Sequence, residues 1–247
     1  MTTETAVTAA ALVIGDEILS GRTKDKNIGP IADHLASIGI DLKEVRIVGD
    51  DEAAIVEALN ALRTRYDYVF TTGGIGPTHD DITADSVGKA FGVPVEIDER
   101  AVAVMRPAYE KRGLELTPAR LRMARVPRGA DLIGNSVSAA PGFRMDNVIV
   151  MAGVPAIMLA MLEAATQHLT KGQLMNNVSF VLEQPEAEIA ELFADHQAAY
   201  PDVAMGSYPT FVDGRYRTEL VLRSKDRTRL EKARIELGAK LASRSLL

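Results

Sequence analysis

The chain contains no cysteine, and this absence excludes three kinds of protein. A disulfide-bonded scaffold, a zinc site built on thiolates and an enzyme with a thiol nucleophile all require a side chain that the sequence does not have. Without cysteine, the sequence leaves open whether the protein works in an oxidising or a reducing compartment.

An excess of positive charge is also missing. The 34 Asp and Glu residues outnumber the 28 Lys and Arg residues, which gives a formal net charge of -6 at pH 7. A protein that coats nucleic acid needs the opposite balance, because much of its affinity comes from neutralising phosphates. We therefore expect no nucleic-acid partner.

The sequence also lacks a hydrophobic run that is long enough to cross a membrane. Its longest uncharged apolar stretch, residues 148–162, is too short for a bilayer and is interrupted by Gly153 and Pro155. The N-terminal segment MTTETAVTAAALVIGDEILSG has no basic region, and its apolar run stops at Asp16 before a secretory signal would be complete. These absences predict a cytoplasmic protein without a membrane partner.

Apolar runs and helical periods alternate along the first two-thirds of the chain. The runs AALVIG, LKEVRIVG, YVFTTGG and VIVMAG are typical of buried strands, and the intervening segments place apolar residues at helical spacing. Asp98 is expected to cap one of these helices, and Pro107 should kink or split it. The alternation predicts an α/β fold with three layers, in which helices cover both faces of a mostly parallel sheet.

The pattern changes near residues 170–176, where the helical period ends in a polar segment. We predict that residues 1–170 form the α/β domain. The remaining residues, 171–247, have the order β-α-β-β-α, which is typical of a small α+β subdomain.

The strongest candidate for a binding site is the stretch TTGGIGPTHDDIT, residues 71–83. It follows a predicted parallel strand and precedes a helix, and ligands of α/β proteins bind at such places. Gly73, Gly74 and Gly76 allow backbone N–H groups to turn toward a phosphate, which the helix N-terminus also attracts. The adjacent carboxylates of Asp80 and Asp81 would repel that phosphate, unless a Mg²⁺ ion lies between them.

A purely structural interpretation of the same loop remains open. In that interpretation the glycines form a turn, and Asp81 or Thr83 caps the following helix. A basic run over residues 120–128 has the same ambiguity, because its arginines could reach ligand phosphates or form a solvated helix face.

The motif TTGGIGPTHDDIT resembles the signature of the molybdopterin-binding domain family. This family includes MoaB, MogA, a domain of MoeA and gephyrin, and the N-terminal domain of CinA-type competence/damage-inducible proteins. The resemblance covers about residues 8–168, and the CinA-type branch is the most similar. The further motifs that carry it are IGDEILSG (14–21), KNIGPIADHLASIGI (26–40), VGDDEAAI (48–55), Thr117-Pro118 and Gly153-Val154-Pro155.

The resemblance implies roles for particular residues. Two acidic positions with a catalytic role correspond to Asp50 and Asp81, although Asp51 could fill the first position instead. The resemblance and the loop pattern together predict Asp80 and Asp81 as metal ligands. Predicted contacts to the ligand or its phosphate are Gly15, Asp16, Glu17, Gly73, Gly74, Gly76, Thr78, Ser138, Gly142 and Gly153. Asp16 and Glu17 could alternatively form an ordinary helix start.

The resemblance also implies alternative functions. The first is binding of a phosphate-containing pterin such as molybdopterin, or of a nucleotide, in molybdenum cofactor biosynthesis. The second is hydrolysis of the pyrophosphate in ADP-ribose, FAD or a similar compound with the help of Mg²⁺ or another divalent cation. The third is a non-catalytic interaction role.

Two further expectations follow from the resemblance. We expect a homo-oligomer, either a dimer or a trimer. We also expect no nicotinamide-mononucleotide deamidase activity, because the domain that carries it in CinA-type proteins would follow Leu247.

Overall fold

A computed structural model describes residues 6–247, and these residues divide into two compact units. The first unit ends at Gly172 and the second begins at Gln173, two residues after the expected boundary. The first five residues of the N-terminal segment that we expected to lack a secretory signal lie outside the described residues. No helix in the described part is both long and apolar enough to cross a membrane.

The first unit contains strands of three to eight residues. They are β1 (Thr8–Ile14), β2 (Asp41–Val48), β3 (Tyr68–Thr72), β4 (Val95–Ile97), β5 (Arg125–Pro127), β6 (Asp131–Ile133), β7 (Gly142–Met145) and β8 (Val148–Met151). Over residues 6–172, six of these strands form one sheet in the order β2-β1-β3-β8-β7-β6. Strands β2, β1, β3 and β8 run parallel to one another, whereas β7 pairs antiparallel with β8 and with the edge strand β6. The prediction of a mostly parallel sheet is confirmed.

The helices of the first unit connect these strands. They are α1 (Asp16–Leu19), α2 (Ile28–Ser37), α3 (Glu52–Arg63), α4 (Thr83–Phe91), α5 (Glu99–Glu110), α6 (Pro118–Leu121) and α7 (Pro155–Ala165). Two apolar clusters lie on opposite faces of the sheet: α3 packs on one face, and α2 and α7 pack on the other. The three-layer α/β fold is therefore confirmed.

The helix that contains Pro107 corrects one expectation. Asp98 caps α5 as predicted, since its Oδ1 accepts a hydrogen bond from the backbone N–H of Arg100 at 2.8 Å. Pro107 does not split the helix. It denies the Ala103 carbonyl its usual partner, but both residues lie on the exposed side, where water can hydrate that carbonyl.

The second unit has the predicted order of elements. It consists of β9 (Asn176–Leu182), α8 (Ala190–Ala199), β10 (Ala204–Val212), β11 (Arg215–Ser224) and α9 (Arg227–Ser243). The strands form an antiparallel sheet in the order β10-β11-β9, and a separate apolar core includes residues from both helices. The prediction of a small C-terminal α+β subdomain is confirmed.

Candidate functional site

The parallel strands of the first unit end at the same level of the sheet. Ile14 of β1 pairs with Val48 of β2, and Thr72 of β3 pairs with Met151 of β8. The loops that follow these residues therefore start side by side. They contain most of the residues that the sequence predicts for ligand binding, and this edge is where α/β proteins bind their ligands.

Two glycines, Gly73 and Gly153, allow the loop after β3 to pack closely against neighbouring backbone segments. Gly73 has a φ of 102°, and a Cβ atom there would lie 2.1 Å from the carbonyl oxygen of Ile14. A Cβ on Gly153, in the loop after β8, would lie 3.3 Å from the Cα of Gly73. Position 73 therefore requires a residue without a side chain, and a side chain at position 153 would press on the backbone of Gly73.

The same loop leaves backbone donors without a protein acceptor. Across residues 6–247, the N–H groups of Gly74, Ile75 and Gly76 donate no hydrogen bond to another part of the chain. Gly74 has a positive φ of 66°, and all three residues line one cavity. Successive backbone N–H groups that face open space form a site for an anion.

This cavity has a volume of about 480 Å³ and joins many of the predicted residues. It is of the size that pockets for small organic ligands have in proteins. The predicted residues that line it are Glu17, Gly73, Gly74, Gly76, Asp81, Ser138 and Gly153. Apolar residues complete the wall: Ile75, Pro77, Met123, Ala140, Ala152, Val154, Ile157 and Met161. The cavity thus combines backbone N–H groups that lack a protein acceptor among the described residues with an apolar wall.

Asp81 organises the glycine loop rather than the helix after it. Its Oδ2 accepts hydrogen bonds from the backbone N–H of Thr78, at 2.8 Å, and from the Thr78 hydroxyl. Helix α4 has no side-chain cap, and the hydroxyl of Thr83 donates to the carbonyl of Gly73. The alternative in which Asp81 or Thr83 caps α4 is therefore wrong.

A second carboxylate pair joins the loops after β1 and β2. The backbone N–H of Asp16 donates to Oδ2 of Asp50 at 3.0 Å, and the N–H of Asp50 donates to Oδ1 of Asp16 at 3.3 Å. Partial burial raises the pKa of the Asp50 carboxyl, the Asp16 N–H opposes this, and the charges of Asp16, Glu17 and Asp80 increase it further. Several negative charges therefore interact beside the cavity.

The structure separates Asp50 from Asp51. Asp51 caps α3, because its Oδ1 accepts a hydrogen bond from the backbone N–H of Ala54 at 2.8 Å. Asp50, in contrast, faces Asp16. Of the two residues, Asp50 is the one that joins the acidic group.

Several predicted residues do not line the cavity. Thr78 and Asp80 are exposed on the glycine loop, and Gly15 precedes α1, where its N–H donates to the carbonyl of Val48 at 3.0 Å. Gly142 is buried in β7, where a Cβ would lie 2.4 Å from the Val150 carbonyl oxygen. Gly142 therefore serves the packing of β7 against β8, and its contact with a ligand stays a prediction.

Two arginines lie next to the glycine loop. Arg122 donates from Nε to the carbonyl of Thr78 at 3.2 Å, and Arg125 forms two hydrogen bonds with the carboxylate of Asp85 on α4. Both line a narrow crevice beside Asp81. The basic run in the sequence was the signal for these residues, although its spacing did not show which arginines reach the loop.

The carboxylates do not by themselves form a metal cluster. In the part of the chain that the structure describes, no three His, Cys, Asp or Glu side chains are grouped as metal ligands. Mg²⁺ typically needs only one or two carboxylates when phosphate oxygens and waters complete its shell. The carboxylates around the cavity are compatible with Mg²⁺ binding that uses only one or two of them.

Comparison with known families agrees with the geometry. Residues 10–171 match the family model described as "Probable molybdopterin binding domain". Residues 175–247 match the model described as "FAD synthase, middle domain".

Similar chains have been found in archaea and bacteria. A protein of Pyrobaculum arsenaticum is 37% identical over 205 residues, which are 79% of this chain and 77% of that protein. A CinA-like protein of Geobacter sulfurreducens is 40% identical over 158 residues, which are 62% of this chain but 38% of the relative.

A solved structure supports the fold of the first unit. The crystal structure of the protein CinA with unknown function from Thermoplasma acidophilum has a TM-score of 0.60 and 36% identity, and the match covers 66% of this chain and 98% of that one. With a family model that spans residues 10–171 and with CinA-type relatives, this chain belongs to the molybdopterin-binding domain family.

Proposed function

We propose that the chain binds a phosphate-bearing pterin or nucleotide in the 480 Å³ cavity, with the phosphate at the backbone N–H groups of Gly74, Ile75 and Gly76. The observation that carries this proposal is the lack of a protein acceptor for these three donors among residues 6–247. An anion would supply the missing acceptors. The nearby N-terminus of α7, which begins at Pro155, favours the same negative charge.

The rest of the cavity suits a flat ring system. Ile75, Met123, Ile157 and Met161 provide apolar surface, and Ser138 adds a hydroxyl that can orient polar ring atoms. The family description supports a pterin, as in molybdenum cofactor biosynthesis, whereas the FAD synthase match supports a nucleotide. Both ligands combine a ring system with phosphate.

Mg²⁺ belongs to this proposal because of the negative charge around the phosphate position. Glu17 and Asp81 line the cavity that would receive an anion, and Asp80 is close enough to raise the pKa of Asp50. Asp81 and Asp80 would supply oxygen ligands to the metal, with phosphate oxygens and waters as the others. The ion would neutralise phosphate charge.

Pyrophosphate hydrolysis is the second candidate, and the pair of Asp16 and Asp50 favours it. Asp50 or Asp81 would orient a water molecule and accept its proton. The water oxygen would bond to one phosphorus, the bond from that phosphorus to the bridging oxygen would break, and two phosphate monoesters would leave. The raised pKa of Asp50 makes its carboxylate a better proton acceptor than an ordinary aspartate.

A thermal-shift panel tests the proposed function. The ligands are molybdopterin, ADP-ribose, FAD, ATP and AMP, each with and without Mg²⁺, and the controls are adenosine and riboflavin, which have no phosphate. A ligand that binds the native state raises the melting temperature. We expect phosphate-bearing compounds to raise it more than their phosphate-free controls. No shift with any phosphate compound, or equal shifts with the controls, contradicts the proposal.

A further inference from the structure

A second, smaller cavity adjoins the first. It has a volume of about 260 Å³ and shares Glu17, Gly73 and Gly153 with the 480 Å³ cavity. The shared residues include two that flank the proposed phosphate position. A ligand held at the glycine loop could therefore extend into both cavities.

Two buried polar side chains line this second cavity without full hydrogen bonding. Asn27 is 5% exposed and Thr72 is 1% exposed. Within the described residues, neither Oδ1 of Asn27 nor Oγ1 of Thr72 has a hydrogen-bond partner. Buried polar atoms are normally paired, and an unpaired one at a cavity indicates that something else supplies the partner.

The chemistry of the missing partner follows from the atoms. The Nδ2 group of Asn27 donates to the carbonyl of Gly153 at 2.8 Å, and because a carbonyl only accepts, the amide orientation is fixed. The free atom of Asn27 is then an acceptor, and its partner must donate. Glu17 adds another acceptor at the shared wall, so this part of the cavity suits hydroxyl or amino groups.

The rim of the second cavity carries two positive charges, and the carboxylate of Asp25 between them is engaged by the backbone N–H groups of Asn27 and Ile28. Lys24 and Lys26 are exposed and line it, and they can approach a phosphate without being buried. This distribution matches a ligand that places an uncharged group with hydrogen-bond donors inside the cavity and a phosphate near its entrance.

We propose that the second cavity is a subsite for a donor-bearing group, either a sugar hydroxyl or a ring amine, of the ligand whose phosphate lies at the glycine loop. Asn27 and Thr72 are its specificity-determining residues. This inference rests on the proposed function and adds a second recognition point to it.

Thr72→Val is the central variant of the test, and Thr71→Val is its matched control. Both threonines lie in β3, both are buried, and neither hydroxyl has a partner in the described structure, but Thr71 lines neither cavity. Because Val keeps the shape of Thr, both variants should melt at or above the wild-type temperature. Only Thr72→Val should change ligand affinity.

The probes separate the two sources of the donor group. The first pair is the α,β-methylene analogues of ADP-ribose and ADP, which resist hydrolysis and differ in the terminal ribose. The second pair is AMP and purine riboside monophosphate, which differ in the ring amine. Calorimetric titrations with Mg²⁺ would give each affinity for the wild type and both variants.

We expect Thr72→Val to weaken one preferred probe by about fivefold to tenfold, the effect of one lost hydrogen bond. If the group is a sugar, the preference for the ADP-ribose analogue over the ADP analogue falls; if it is an amine, the preference for AMP falls. Wild-type affinities of Thr72→Val for all four probes would overturn the subsite alone. A wild-type protein that binds none of them would contradict the nucleotide form of the proposed function, and the thermal-shift panel with molybdopterin tests the pterin form separately.

Discussion

The two units use glycine with positive φ in different ways. In the first unit, the loop after β3 contains Gly73 and Gly74; residues 74–76 line a cavity, and their backbone N–H groups have no protein acceptor among the described residues. In the second unit, Asp213 and Gly214 have φ values of 52° and 76° and turn the chain between β10 and β11. Positive φ alone thus makes a turn, whereas a site also needs free donors beside a cavity.

Strand direction explains this difference. Parallel strands end at the same edge of the sheet, and a loop follows each of them there. Backbone donors and carboxylates in the loops after β1, β2 and β3 therefore lie close together. The antiparallel strands β10 and β11 are joined directly, and their residues pair with each other up to Val212 and Arg215. We therefore assign ligand binding to the first unit and use the second as an internal control.

The largest expected effect comes from the core of the second unit. Leu237 on α9 is fully buried, and Leu237→Ala should lower the free energy of unfolding of this unit by about 2–5 kcal/mol. Ile235→Ala, on the exposed side of the same helix, should change it by about 0.5 kcal/mol at most. Thermal unfolding measures the stability of both variants. Titration with AMP should give the wild-type affinity for each of them. A folded Leu237→Ala protein with weakened AMP binding would contradict the assignment of the site to the first unit.

Asp81→Asn should produce the largest effect on ligand binding. Asparagine keeps the size and an oxygen that can accept from Thr78, so the loop persists while its negative charge is lost. We expect affinity for AMP in the presence of Mg²⁺ to fall by about a hundredfold, with little change in melting temperature. Asp213→Asn in the hairpin of the second unit is the control and should match the wild type. Unchanged affinity in Asp81→Asn would remove this residue from the site.

Removal of Mg²⁺ tests whether the metal offsets the negative charge of the carboxylates around the phosphate position. With EDTA, the carboxylates of Glu17 and Asp81 would repel the phosphate directly, and we expect the affinity for AMP to fall by about a hundredfold, as in Asp81→Asn, because that variant acts through the same metal. Adenosine carries no phosphate, and its weaker binding should not depend on the metal. Equal AMP affinity in EDTA and in Mg²⁺ would refute a metal between carboxylate and phosphate.

Asp50→Asn should have the smallest effect, and it should depend on pH. Because the pKa of Asp50 is raised in the folded state, its contribution to stability is present below the ordinary value of 3.8 and is lost as the pH rises through the folded pKa. At pH 7 the ionised carboxylate opposes folding, so Asp50→Asn should melt slightly higher than the wild type. The difference should vanish near pH 3.

Melting curves at pH 3 and pH 7 measure this effect. Asp51→Asn is the control, since asparagine caps a helix as well as aspartate does, and its melting temperature at pH 7 should be that of the wild type. A lower melting temperature of Asp50→Asn at pH 7 would show that the negative charges do not crowd this position.

The fold was predictable because each strand or helix leaves a pattern within a short stretch of the sequence. Apolar runs and helical periods identified the parallel strands β1, β2, β3 and β8 and the elements of the second unit, and their alternation indicated a parallel sheet. Asp98 was also correctly predicted as a cap. The helix is not split at Pro107, because a proline on an exposed helix face leaves a carbonyl that water can hydrate.

The candidate site was predictable where its residues belong to a recognisable sequence motif. The glycine loop, with Asp81, was visible as one motif, but Met123, Ile157 and Met161 reach the cavity from other parts of the chain, and no local pattern marks them. Asp51 stands directly before α3, a position that could have identified it as a cap. The packing role of Gly142 could not be predicted, because its close neighbour Val150 becomes adjacent only in the sheet.

The most direct measurement is an NMR titration of ¹⁵N-labelled protein with AMP and Mg²⁺, followed at the backbone amides of Gly74, Ile75 and Gly76. Because these N–H groups lack a protein acceptor in the described chain, a bound phosphate should move their signals and slow their hydrogen exchange. The amides of Asp213 and Gly214 in the second unit should not change. If AMP binds while the three loop amides keep their shifts and exchange rates, phosphate recognition by the glycine loop is contradicted.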